Sequence, residues 1–114
     1  MPKLTLVSEN KTLLNKLTIA TSFKSRAIGL IGCKNLPIDN GVWFPKTNWV
    51  HTSFMSIEIE VIYLDKKMKV VKLHKLKPWR FPKPVLKANS VIEVSAQFIN
   101  HHKIQIGDEL RVGH

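Results

Sequence analysis

From Ile57 the side chains alternate in character. Ile57, Ile59, Val61 and Tyr63 fall on one side of an extended chain, and Glu58, Glu60, Ile62 and Leu64 fall on the other. Period two with β-branched and aromatic residues specifies a strand, because a helix would scatter the same residues around its axis. A strand with one wholly apolar side needs a sheet and a core to cover it. The second side is half polar, which suits a sheet edge or the wall of a cleft. Asp65-Lys66-Lys67 closes the strand as a turn, and Met68 to Leu76 follows at hairpin distance as its partner.

The rest of the chain repeats this short-strand pattern. Leu4 to Val7 reads as a first strand, Glu9-Asn10-Lys11 as a turn and Lys16 to Ala20 as the next strand. Thr21-Ser22 offers a helix N-cap, and Phe23, Ala27 and Leu30 recur at helical spacing. These residues predict a helix over about Ser22–Ile31, ended by Gly32. Gly41 to Phe44 is a short strand ended by Pro45. Lys77-Pro78-Trp79-Arg80-Phe81-Pro82-Lys83-Pro84 is a rigid extended connection, since its three prolines exclude helix and central strand. Ser90 to Ala96 is a strand, Phe98 to Lys103 a loop or one helical turn, Ile106-Gly107-Asp108 a turn and Glu109 to Val112 a last strand. The expected fold is mainly β with roughly eight short strands. It is an antiparallel sandwich or partly closed, jelly-roll-like barrel with one short helix plugging an end. The strands read as too closely spaced for parallel crossovers.

The chain of 114 residues fits one domain, residues 1–114, large enough to bury a core without cross-links. Cys33 is the only cysteine, so no internal disulfide forms, which suits a reducing compartment. No signal-peptide run opens the sequence and no apolar run approaches a membrane span, so a cytoplasmic location is expected. The net charge of +10 suits an anionic partner, or the general solubility of a lysine-rich protein. Arg26, Arg80 and Arg111 are the only arginines. Bidentate phosphate and base recognition favours arginine, so the lysine bias points away from sequence-reading nucleic-acid contacts.

Six segments, taken in order, resemble the DUF192 family, also called UPF0127. Arg26-Ala27-Ile28-Gly29-Leu30-Ile31-Gly32 is similar to its R-x-x-G-L-M segment, and Val50-His51-Thr52-Ser53-Phe54-Met55 to a form of its central motif. Ile59-Glu60-Val61-Ile62-Tyr63-Leu64-Asp65 resembles its I-D-x-x-F-L-D strand, and Pro78-Trp79-Arg80 its P-W-R connection. Val91-Ile92-Glu93-Val94 and Ile106-Gly107-Asp108 resemble its V-L-E-L strand and closing G-D turn. The likeness runs from about residue 16 to 112. Glu60 stands where the family has Asp, Ile31 where it has Met, Gln97 where it mostly has Gly, and Thr47 where some members carry Cys. The resemblance implies a small, mostly antiparallel β fold and implies no activity. Many members look exported or membrane-anchored, a signal this sequence lacks.

His51 leads the candidate functional residues, because an imidazole can hold an anion, move a proton or ligate a metal. The plainer reading is a histidine that fixes a loop through hydrogen bonds. Glu58 and Glu60, about 7 Å apart along a strand, have a spacing that acid–base chemistry can use. The plainer reading pairs Glu60 with Arg26 or Arg80. Trp79-Arg80 between prolines makes either a stacking platform or a lid with a charged rim. Cys33 with His51 lacks any catalytic signature, and His101-His102 lacks a third ligand at useful spacing.

The leading expectation is therefore a non-enzymatic module that binds a small ligand or a protein partner in a cleft. His51, Thr52, Glu60, Trp79 and Arg80 frame that cleft, with Arg26 reaching in from the helix. No catalytic residue, metal site or cofactor is assigned. One alternative is a nucleic-acid-associated protein using Lys66, Lys67, Lys69, Lys72 and Lys75 of the hairpin. The other is an enzyme acting through His51 and Glu60.

Overall fold

The computed structural model describes residues 2–20, 35–52 and 55–113. The predicted helix over Ser22–Ile31, with Arg26 and Cys33, lies outside the described residues. The described residues form eight strands: β1 (Lys3–Leu6), β2 (Lys11–Leu14), β3 (Lys16–Ile19), β4 (Asn40–Pro45), β5 (Ile59–Leu64), β6 (Val70–Leu76), β7 (Ser90–Ser95) and β8 (Leu110–Gly113). A 3-10 turn spans Val7–Glu9, and a short helix, α1, spans Phe98–His102.

The strands form two sheets, one ordered β2-β1-β8 and the other β3-β4-β7-β5-β6. The arrangement is a sandwich and no barrel closes. Leu4 and Leu6 of β1, Leu13 and Leu14 of β2 and Leu110 of β8 meet Ile62, Leu64, Ile92 and Val94 of the larger sheet in one buried layer. The reverse face of the larger sheet carries Val42, Phe44, Ile59, Val61, Tyr63 and Val91. Connecting segments cover that face with Val50, Met55 and Ala88. Period two explains the division, since Ile59, Val61 and Tyr63 enter the covered face while Ile62 and Leu64 enter the inter-sheet layer.

Three expectations are corrected. β5 is buried along its whole length and lies between β7 and β6, so it is neither an edge nor the wall of a cleft. Its half-polar side faces the second sheet, and a single carboxylate there is accommodated by α1. β3 and β4 pair in parallel, Leu17 beside Gly41 and Thr18 beside Val42. The twenty residues between Ile19 and Asn40 exceed the dozen or so that a parallel crossover requires. Lys11–Leu14 is a strand in its own right, paired with β1, although its sequence shows little alternation. Contact with a neighbouring strand decides such short segments more than intrinsic propensity does.

Two local devices set the register and spacing of the strands. Asp65 Oδ1 accepts the amide N–H groups of Lys67 (2.8 Å) and Lys69 (3.0 Å), and Met68 takes a left-handed φ of 60°. That tight turn fixes the β5–β6 register. Gly41 faces β2, and a Cβ built there lies 2.7 Å from Leu14 Cδ1 and 3.1 Å from the Glu93 carbonyl oxygen. Glycine therefore lets the two sheets close to contact at this point.

Candidate functional site

Thr52 organises the region around His51. It is fully buried, and its hydroxyl donates to the Lys77 carbonyl (2.7 Å) while accepting the Arg80 amide N–H (2.7 Å). Its own amide donates to the Arg80 carbonyl (3.0 Å), and its carbonyl accepts the Trp79 N–H (2.9 Å). Thr52 thus clamps the Pro78-Trp79-Arg80 turn onto the segment that carries His51. Trp79 sits at φ 61°, a conformation unusual for a bulky residue and here fixed by the clamp.

The clamp places three rings in contact. His51 lies 5.2 Å from Trp49 at 47° and stacks on Phe81 at 5.9 Å and 20°. Trp49 Nε1 donates to the Pro82 carbonyl at 2.6 Å, tying the ladder to the proline-rich segment. Trp49, His51, Trp79 and Phe81 are all exposed, Phe81 at 65%. Such a concentration of exposed aromatic surface is of the kind that suits contact with a partner or ligand.

Beside Phe81 runs an open groove of about 490 Å³, lined by Glu58, His74, Lys75, Leu76, Lys77, Arg80, Phe81 and Pro82. Three cations, Lys75, Lys77 and Arg80, line it against one carboxylate. The single carboxylate, Glu58, is engaged by Lys75 Nζ at 3.7 Å. Burial, then the nearby Lys72, hold the His74 imidazole below its ordinary pKa. The Arg80 guanidinium donates to the Pro78 carbonyl at 3.2 Å, which turns it across the mouth of the turn. Phosphate, carboxylate or sulfate groups suit this set of donors, and Leu76, Phe81 and Pro82 supply apolar wall.

The structure brings together four of the six residues expected at the cleft: His51, Thr52, Trp79 and Arg80. Thr52 is inside the protein and acts as a clamp, whereas the other three are at the surface. Glu60 is not among them. It lies on the inter-sheet side of β5, where its Oε1 accepts the Ile99 N–H at 2.8 Å at the start of α1. Burial raises its pKa, and the Ile99 hydrogen bond and then Lys75 act in the opposite sense. Its described partner is thus a helix terminus, and Arg80 instead donates to the Pro78 carbonyl. Arg26 lies outside the described residues, as does Ser53.

The hairpin lysines do not form a single row. Lys66 and Lys67 sit in the turn, Lys72 is registered with Tyr63 and Lys75 with Glu60, so the last two project to opposite sides of β6. Lys72 and His74 do share one side. His101 and His102 touch edge to face at 4.7 Å, and among the described residues no three His, Cys, Asp or Glu side chains gather as a metal site.

Sequence reasoning missed Trp49, Phe81 and Lys77, and weighed His74 only as part of a basic hairpin face with Lys72. Trp49 was detectable as the residue two before His51, which places both on the same side of an extended segment. Phe81 follows Arg80 directly and precedes a proline that keeps it extended. His74 and Lys77 join only because β6 ends beside the Pro78 turn.

The family model of DUF192, described as an uncharacterized ACR, matches residues 5–112. The chain is 32% identical to a UPF0127 protein of Pyrococcus horikoshii, over 93% of this chain and 96% of the relative. It is 31% identical to a UPF0127 protein of Pyrococcus furiosus, over 91% and 92% of the two chains. Two crystal structures share the fold. One is a protein of unknown function from Novosphingobium aromaticivorans (TM-score 0.80, 17% identity, 96% of this chain and 82% of that one). The other, from Sinorhizobium meliloti, is proposed as a transcription regulator (TM-score 0.81, 18% identity, 97% and 91%). No helix among the described residues is long and apolar enough to cross a membrane.

Proposed function

We infer that this chain, which belongs to the DUF192 family, is a binding module whose ligand or partner presents anionic groups to the groove between β6 and the Pro78–Pro82 segment. One observation carries the reading. An exposed stack of His51 on Phe81 adjoins a groove whose lining brings Lys75, Lys77 and Arg80 together against one carboxylate. Cations alone describe an ordinary solvated surface. A rigid aromatic stack beside them, held by a buried threonine clamp, is a preorganised surface, and preorganisation lowers the entropic cost of binding. Binding, rather than turnover, fits a carboxylate that is already engaged by Lys75 and a Glu60 that is committed to α1.

Titration calorimetry on the wild type, Arg80→Ala and Phe81→Ala tests this, with pyrophosphate, an acidic peptide and oligo(dT) as probes. At least one probe binds the wild type and weakens tenfold or more in both variants, while their melting temperatures stay close to the wild type. Binding unchanged in both variants, or no binding by any probe, overturns the reading.

A further inference from the structure

We propose that the open edge of β6, from Lys72 to Lys77, receives an acidic, extended segment of a partner protein as an added strand. The inference rests on the groove being the binding face and names what occupies it. β6 is the last strand of its sheet. Its first residues already have neighbours on the outer side: the Val70 N–H donates to the Asp108 carbonyl (2.8 Å), the Gly107 N–H donates to the Val70 carbonyl (2.8 Å), and Lys69 bridges Glu109. Beyond these, among the described residues no strand pairs with that side. An unpaired edge is a template for another strand.

The groove borders the last residues of this strand. His74, Lys75, Leu76 and Lys77 line it with Arg80, Phe81 and Pro82, and its one carboxylate, Glu58, is engaged by Lys75. Proline at positions 78, 82 and 84 prevents the segment that carries Arg80 and Phe81 from itself pairing as a strand. The slot is therefore kept open beside a strand edge, with cations at Lys75, Lys77 and Arg80 and apolar surface at Leu76 and Phe81. Its complement is an extended segment that alternates Asp or Glu with apolar side chains.

Two competing occupants fit less well. Single-stranded nucleic acid binds through bases laid on exposed ring faces. Among the residues lining the groove Phe81 is the one Phe, Tyr or Trp, so successive bases lack a row of platforms there. A phosphodiester chain also cannot match the alternating donors and acceptors of a strand edge. A second copy of this chain would bring another basic edge to the slot, from a molecule of net charge +10.

The test is fluorescence anisotropy with a labelled ten-residue peptide alternating Glu and Val. Two versions N-methylated at the odd or the even amides, and oligo(dT) of ten nucleotides, serve as comparisons. The expected result is salt-sensitive binding of the parent peptide, with at least tenfold weaker binding of one methylated version. The parent peptide also slows hydrogen exchange at the amides of residues 72–77. Lys75→Glu combined with Lys77→Glu weakens binding at least tenfold at an unchanged melting temperature. Equal binding of all three peptides, or protection away from β6, overturns the added strand. Binding of oligo(dT) without the peptide overturns it too, but leaves the anionic groove intact. No binding by any anionic probe overturns both readings.

Discussion

The two faces of the five-stranded sheet each bury one carboxylate, and they treat it differently. On the inter-sheet face Glu60 accepts the Ile99 N–H, so its charge is met by the start of α1. On the covered face Glu93 lies on the central strand β7, registered between Val42 of β4 and Val61 of β5. Burial pushes its pKa up to about 8. Tyr63, one step along the neighbouring strand, keeps a buried hydroxyl without a hydrogen-bond partner, and burial and then Glu93 raise its pKa. The lesson is that a carboxylate in a sheet interior is a structural tie where a helix terminus meets its charge, whereas deeper burial makes the charged form costly.

The largest effect expected follows from Glu93. Its folded pKa lies above the unfolded value of 4.5, so the folded state binds the proton more tightly. Stability is fully present below that value, falls as pH rises towards about 8 and levels off beyond it. At neutral pH the penalty is roughly 3 kcal/mol. Glu93→Gln therefore stabilises the protein at pH 7 to 8 and flattens the decline between pH 4.5 and 8, as measured by denaturant unfolding across that range. The raised pKa of Glu60 acts in the same direction and leaves a weaker slope in the variant. A variant no more stable than wild type at pH 8 would remove the contrast between the faces.

Glu60→Ala gives the opposite sign. It leaves the Ile99 N–H without its acceptor and loosens the attachment of α1, whose Phe98 is fully buried in the inter-sheet layer. A loss of about 1–3 kcal/mol is expected, with earlier hydrogen exchange at residues 98–102. A smaller effect, about 1–2 kcal/mol destabilising, is expected for Gly41→Ala. Leu14 must then move from a Cβ it would approach at 2.7 Å. A neutral outcome there would show that the inter-sheet face is packed more loosely than its buried leucines indicate.

Much of the architecture was legible in the residues. Period two placed β5, β6 and β7, the prolines marked residues 77–84 as unpaired, and Asp65 and Gly107-Asp108 marked turns. β2 was not legible, because Lys11-Thr12-Leu13-Leu14 carries no alternation and is held by its pairing with β1. His51 and Arg80 were recognisable as polar groups set among apolar and proline-rich neighbours. Glu60 was misplaced because side-chain parity says which two residues share a face but does not say what that face meets.

The sequence by itself determined that this chain is a single family's β fold, and which of its residues alternate towards a core. Those properties are local, set by backbone sterics and by the spacing of apolar side chains. Only the tertiary structure decided that both faces of β5 are buried, that Thr52 clamps Arg80 across nearly thirty residues of chain, and that His51, Phe81 and the lysines of β6 border one groove. Those facts depend on which segments meet after distant strands have paired, and one sequence taken in order carries no direct record of that.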